Sequence, residues 1–363
     1  MRFSTSLSVV ALTTLITACS GAGAGITTTP GSALNNASGG PGLVSLVPSW
    51  LHPAAGVQLL KLDFVYPAKA SGALYGSEFE SEGSGEGQIN AYPNPDPKNA
   101  KPTCTIEGYA INGWGVDNAG DLILPSGTSI STEPVVNVYK GPKPCGTLLG
   151  SITDSTGQPA TAASFNATKD KIYVGEIAST ANSTGEIVIC TLKSKACGAP
   201  ITNAAITGHG AGVAIDSKGD CWMSAATATN AGFLLVYWKG CKGKGVVATG
   251  TKNTSFGGLF FDTKGNLVSV DVGGSSGTGV LHVYKGCTPK CTVVGTMPMK
   301  GASLFGNLNA AGTELAVGDI GNSQIDVYKY TPTKLTYMYS FNNDLNGTGF
   351  IIGGGFNPTN KQL

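Results

Sequence analysis

The chain has 363 residues, of which 41% are hydrophobic and only 12% charged, and its formal net charge is +1 at pH 7. No run of Lys or Arg exceeds two residues, so the electrostatic footprint of a nucleic-acid-binding protein is missing and such a partner is not expected. With 53 glycines and no long helical periodicity, the composition points to many short strands joined by tight turns.

Residues 1–18 have the order of an export signal: a cation at Arg2, an apolar stretch from Leu7 to Ile16, then Thr17 and Ala18. The stretch is too short to span a bilayer as a mature helix. The run Leu15-Ile16-Thr17-Ala18-Cys19 resembles the bacterial lipobox, which implies cleavage before Cys19 and acylation of its thiol; an ordinary signal cut nearby is the alternative. Acyl chains would seat the protein on a membrane it does not cross, since each buried methylene contributes about 0.8 kcal/mol. Ser20 in place of Asp implies, by the same resemblance, transfer to the outer membrane or cell surface of a bacterial envelope. Residues 19–45 are small and uncharged, with too little apolar surface to offset ordering entropy, and read as a flexible tether.

From residue 46 to 363 one phrase recurs six times, a strand ending at Tyr92, Tyr139, Cys190, Tyr237, Tyr284 and Tyr328. The clearest copy runs through Gly258–Asp262, a turn at Thr263–Asn266, Leu267–Val272, Val280–Tyr284 and Thr292–Val294, which is four strands with alternating apolar residues. The first turn returns as Asp117–Gly120, Asn166–Lys169, Asp216–Gly219, Asp262–Gly265 and Asn309–Gly312, where Asp or Asn bonds the backbone two residues on. An all-β domain is therefore expected, a β-propeller of four-stranded antiparallel blades, with six blades favoured and seven the alternative. The C-terminal phrase Gly349–Pro358 would close the ring by lying innermost in the first blade; in the seven-blade version residues 44 to 66 supply part of an extra blade. The Tyr series reads as packing between blades.

The segment Gly312 to Tyr328, with Asp319 followed by Gly321-Asn322 and an alternating strand, is similar to the NHL-type propeller repeat. That resemblance implies the fold, and fold does not transfer an activity.

Three disulfides follow from the strand pattern: Cys190 with Cys197 and Cys287 with Cys291 across third-to-fourth-strand turns, and Cys221 with Cys241 across neighbouring strands. Cys104 and Cys145 fall at the same place in adjacent blades and are expected to stay unpaired. Zinc is not expected, because no two Cys-x-x-Cys pairs occur and His52, His209 and His282 are scattered.

The second strands end at Glu78, Ser126, Glu176, Ala225, Asp271 and Asp319. If those ends ring one mouth, Glu78, Glu176, Asp271 and Asp319 converge on a divalent cation or polar ligand; otherwise each carboxylate holds its own loop. No catalytic residue set is apparent, and no cofactor beyond that possible cation is expected. The reading favoured is a lipid-anchored, extracytoplasmic binding or scaffolding module, its partner a protein or glycan besides the membrane. The alternative is a metal-dependent hydrolase or lyase at the acidic mouth.

Overall fold

The computed structural model describes the chain between residues 73 and 357, apart from short connections such as 93–101, 128–133, 177–184 and 343–348. The signal, Cys19, the tether, His52, His209 and the segment proposed for a seventh blade lie outside the described residues.

Within them the ladders form six antiparallel sets, each with its inner strand first and its outer strand last. Blade 1 is Gly349–Asn357, Ala73–Glu80, Glu86–Tyr92 and Cys104–Tyr109. Blade 2 is Gly115–Val116, Leu122–Gly127, Pro134–Tyr139 and Leu148–Thr153. Blade 3 is Ala160–Asn166, Lys171–Glu176 and Glu186–Thr191, edged by the short pieces Ala196–Cys197 and Ile201–Thr202. Blade 4 is Gly210–Ile215, Cys221–Ala226, Phe233–Trp238 and Val246–Val247. Blade 5 is Leu259–Phe261, Leu267–Asp271, Val280–Lys285 and Thr292–Pro298. Blade 6 is Ser303–Leu308, Glu314–Asp319, Gln324–Thr331 and Lys334–Asn342. A single 3-10 turn, Lys239–Cys241, is the one helical piece named among the described residues.

The C-terminal strand pairs antiparallel with Ala73–Glu80 and so completes the first blade, the closure favoured from the sequence. Phe305 bridges Gly353 in parallel, tying this strand to blade 6 as well. The Asn307 side chain clasps the junction: its Nδ2 donates to Phe356 O at 3.2 Å and its Oδ1 accepts from Phe356 N–H at 2.5 Å. Closure removes the free edges that an open array of strands would expose.

Alternation along each strand sends one set of apolar residues to the preceding blade and the other to the next. In blade 6, Leu315, Val317, Tyr328 and Tyr330 pack with Val268, Val270, Leu281 and Val283 of blade 5. Ile325 and Val327 turn the other way, onto Leu74, Tyr92, Ile351 and Phe356 of blade 1. At about 1.5–3 kcal/mol for each large side chain taken out of water, these faces are the main source of stability. Near the axis the inner strands come close enough to exclude side chains. A Cβ on Gly212 would lie 2.3 Å from Gly257 O, where Gly212 N–H donates to that carbonyl at 3.1 Å.

Among the described residues four disulfides are present: Cys190–Cys197, Cys221–Cys241, Cys287–Cys291 and Cys104–Cys145. The last corrects the expectation that Cys104 and Cys145 stay apart. Cys145 is not on the outer strand of blade 2 but in the turn that precedes it, at φ 47°, and that turn folds back until the two Cα atoms are 6.1 Å apart. The bond therefore staples blade 2 to blade 1.

Candidate functional site

Register identifies which residues share the ends of the second strands. Counting back four residues from each Tyr-series position, the ladders pair Gln88 with Glu78, Val135 with Ser126, Glu186 with Glu176, Phe233 with Ala226, Val280 with Asp271 and Gln324 with Asp319. Five of the six expected positions coincide. In blade 4 the residue is Ala226, not Ala225, and because the side-chain period is two, that one-residue slip places Ala225 on the opposite face.

Asp271 is fully buried, and its carboxylate serves its own blade. Oδ2 accepts from Thr254 N–H at 2.5 Å and Oδ1 from Gly273 N–H at 3.0 Å, while His282 Nε2 stands 3.4 Å from Oδ2. Burial by itself would raise this carboxyl, but the bonds from His282, Thr254 and Gly273 outweigh it and hold Asp271 below its ordinary value. Asp319 is equally buried and ties down the Gly-Asn turn: Asn322 N–H donates to Oδ1 at 3.2 Å and Asn322 Nδ2 to Oδ2 at 2.7 Å. There burial prevails, and the Asp319 carboxyl is raised.

Glu176 is also buried, directly opposite Glu186 in the ladder of blade 3. Glu78 lies on the second strand of blade 1, paired with Gln88, and its side chain is outside the described residues. The four positions thus share a register on four different blades, and the two aspartates are turned into the loops of their own blades. Among the described residues no group of three or more His, Cys, Asp or Glu is placed to hold a metal ion.

A second series of polar residues went unread in the sequence. Two positions before the Tyr of blades 1, 2, 5 and 6 stand Asn90, Asn137, His282 and Asp326, and each faces a hydroxyl on the outer strand. The contacts are Thr105 Oγ1 to Asn90 Oδ1 at 2.6 Å, Ser151 Oγ to Asn137 Oδ1 at 2.7 Å, His282 Nδ1 to Thr296 Oγ1 at 3.3 Å, and Ser340 Oγ to Asp326 Oδ1 at 2.5 Å. The pattern Asn-x-Tyr, Asn-x-Tyr, His-x-Tyr, Asp-x-Tyr was the available signal. Asp271, His282 and Thr296 have the order of a carboxylate–imidazole–hydroxyl relay. Their recurrence as Asn–Thr, Asn–Ser and Asp–Ser pairs in other blades marks the arrangement as a cross-strand fastening first.

Blade 6 carries a dense polar network. Asp326 accepts from Tyr328 O–H at 3.0 Å and Gln324 Nε2 at 2.9 Å, and Gln324 Nε2 lies 3.4 Å from Asp319 Oδ2. Burial first, then the neighbouring Asp319 charge, push the Asp326 carboxyl up to about 6. Above it Lys300 N–H donates to Tyr328 Oη at 2.8 Å, and Lys300 Nζ sits 4.4 Å from the Tyr337 ring centre. The phenols of the Tyr series are anchored in the same manner in blades 4 and 5, where Tyr237 donates to Asp220 at 2.6 Å and Tyr284 to Asn253 at 2.7 Å. Their role is packing with a fixed hydrogen bond.

No family model and no curated protein matches the chain. Solved structures do. A chain of a nidogen/laminin complex is similar with a TM-score of 0.56 and 12% identity, covering 79% of this chain and 98% of that one. TolB from Acinetobacter baumannii is similar with a TM-score of 0.55 and 12% identity, covering 80% of this chain and 68% of that one. At such identity the likeness is one of fold alone, and it agrees with the ladders: the chain is a β-propeller.

Proposed function

We propose that this propeller is a lipid-anchored, extracytoplasmic binding or scaffolding module built from NHL-type repeats. It would be carried by an acylated Cys19 and a tether of residues 19–45 at a bacterial envelope, on the outer membrane or cell surface. The observation that carries the reading is the fate of the mouth aspartates. Asp271 and Asp319 are consumed in fastening their own loops, so the rim offers a partner a stiff, shaped surface. Four disulfides fit an oxidising compartment outside the cytoplasm. The partner belongs to the protein or glycan class.

Fractionation tests the anchor: the native chain is expected in membranes and Cys19→Ser in the soluble fraction. Affinity capture from membranes with the soluble ring tests the rest, with a saturable polypeptide or glycan partner expected. A Cys19→Ser protein that stays in membranes, or a ring that retains neither kind of partner, would refute the proposal.

A further inference from the structure

The seams between blades 4 and 5 and between blades 5 and 6 are built alike except at two places: Asn266, whose Nδ2 donates to Asp262 Oδ2 at 2.8 Å, is matched by Asp220, and Tyr330 is matched by Gly286. Their turns share the same backbone hydrogen bonds. Asp216 Oδ1 accepts from Lys218 N–H and Asp220 N–H, both at 2.9 Å, and Asp262 Oδ1 accepts from Lys264 N–H at 2.9 Å and Asn266 N–H at 2.8 Å. The facing strands match as well, since Tyr284 stands opposite Leu267 in its ladder and Tyr328 opposite Leu315. Two residues on, blade 6 has Tyr330 and blade 5 has Gly286.

Tyr330 fills its seam. Its ring packs in the core shared by blades 5 and 6, and its O–H donates to Asp262 Oδ2 at 3.0 Å, leaving Asp262 only 4% exposed. At the other seam no ring is supplied. Gly286 turns the chain at φ 63°, and a Cβ built on it meets nothing within 4 Å. A cavity of about 160 Å³ opens there, walled by Ile215, Phe261, Leu267 and Tyr284, with Asp216 and Asp262 at its polar side. Asp216 is half-buried, and no described group donates to its Oδ2. An apolar cavity of roughly 150 Å³ is large enough to take up benzene.

We propose that the seam between blades 4 and 5 binds a phenolic ring, which takes the place Tyr330 occupies in the next seam and donates its hydroxyl to Asp216. A free phenol and a tyrosine on a polypeptide both supply such a ring; the recognised chemistry is the same. The site is independent of the anchor and of the loops at the mouth.

The test titrates the intact disulfide-bonded ring with p-cresol, toluene, and the capped tripeptides Gly-Tyr-Gly and Gly-Phe-Gly, followed by calorimetry and ligand-observed NMR. p-Cresol is expected to bind saturably at one site, with toluene at least about tenfold weaker, the ratio expected for one hydrogen bond to a charged acceptor. Asp216→Asn keeps an acceptor for the turn and removes the one facing the cavity. It should weaken p-cresol by about tenfold and leave toluene unchanged. Tyr330→Gly should open the neighbouring seam and raise the stoichiometry to two. Tyrosine-peptide binding with the same Asp216 dependence assigns a polypeptide ligand, and p-cresol binding with the peptide excluded assigns a free phenol; both support the proposal. Absence of saturable p-cresol binding at millimolar concentration, equal affinity for toluene, or an Asp216→Asn protein with unchanged p-cresol affinity overturns it. The Asp216→Asn comparison stands even if Tyr330→Gly does not fold.

Discussion

Asp326 shows how a single buried group sets a property of the whole protein. Its folded carboxyl titrates at about 6, against an ordinary value of about 3.9 in an unfolded chain. Folding therefore tightens proton binding, so the contribution is stabilising below the unfolded value and is lost as pH rises through 6. The two-unit difference is worth roughly 3 kcal/mol. Asp216 and Asp319, also raised by burial, carry the same sign. Asp271 is lowered, and its stabilisation is lost only as pH falls through a range below its ordinary value. Thermal unfolding should thus give a Tm that falls between pH 4.5 and 7. Asp326→Asn should flatten much of that slope, since the amide still accepts from Ser340 but does not titrate in this window. A wild-type Tm that rises over the window would contradict the assignment.

None of this could be read at Asp326 in the sequence, where it is one acidic residue in an alternating strand. Its neighbours Asp319 and Gln324 are close in number, but Ser340 and Lys300 reach it only because blade 6 folds back on its edge and blade 5 closes over it. Asp271 and Asp319 were legible as strand-ending acids, while the direction of their carboxyls depended on loop N–H groups such as those of Thr254 and Asn322.

At the scale of elements, the disulfides differ in how much chain they close. Cys104–Cys145 spans 41 residues and Cys287–Cys291 spans 4. By loop-closure entropy the first restricts the unfolded chain by about 4 kcal/mol and the second by about 2 kcal/mol. Replacing both members of each pair by Ala should lower the denaturation midpoint in urea more for Cys104/Cys145; equal losses would show that entropy of closure does not govern here. The short pairs were legible because both members flank one turn. The long pair was not, because it depends on the path of a turn between blades, and φ 47° at Cys145 is set by that path. The seam cavity is a parallel case: Gly286 is a turn residue in sequence, and becomes the absence of a ring only beside Tyr330 in the neighbouring seam.

For the whole molecule, closure is the decisive event. The strand Gly349–Asn357 pairs with the residues of Ala73–Glu80, which precede it by the length of the whole ring, and is clasped by Asn307. Truncation after Asn342 should leave the inner edge of Ala73–Glu80 unpaired and remove the Phe305–Gly353 bridge at the inner edge of blade 6. We expect loss of cooperative unfolding and association of the truncated chain, read by calorimetry and light scattering. A truncated chain that stays monomeric and unfolds in one sharp transition would show that the ring does not depend on this strand.

The repeat by itself pointed to a protein made of antiparallel blades, with its C-terminal strand in the first blade as the favoured closure, because spacing and alternation are local properties that survive without coordinates. The tertiary structure alone decided that Cys104 of blade 1 meets Cys145 of blade 2, which oxygen of each carboxylate is occupied, and which seam is left open. Those outcomes depend on contacts between residues far apart in the chain, where a single turn or the presence of one ring changes the geometry and no sequence period records it.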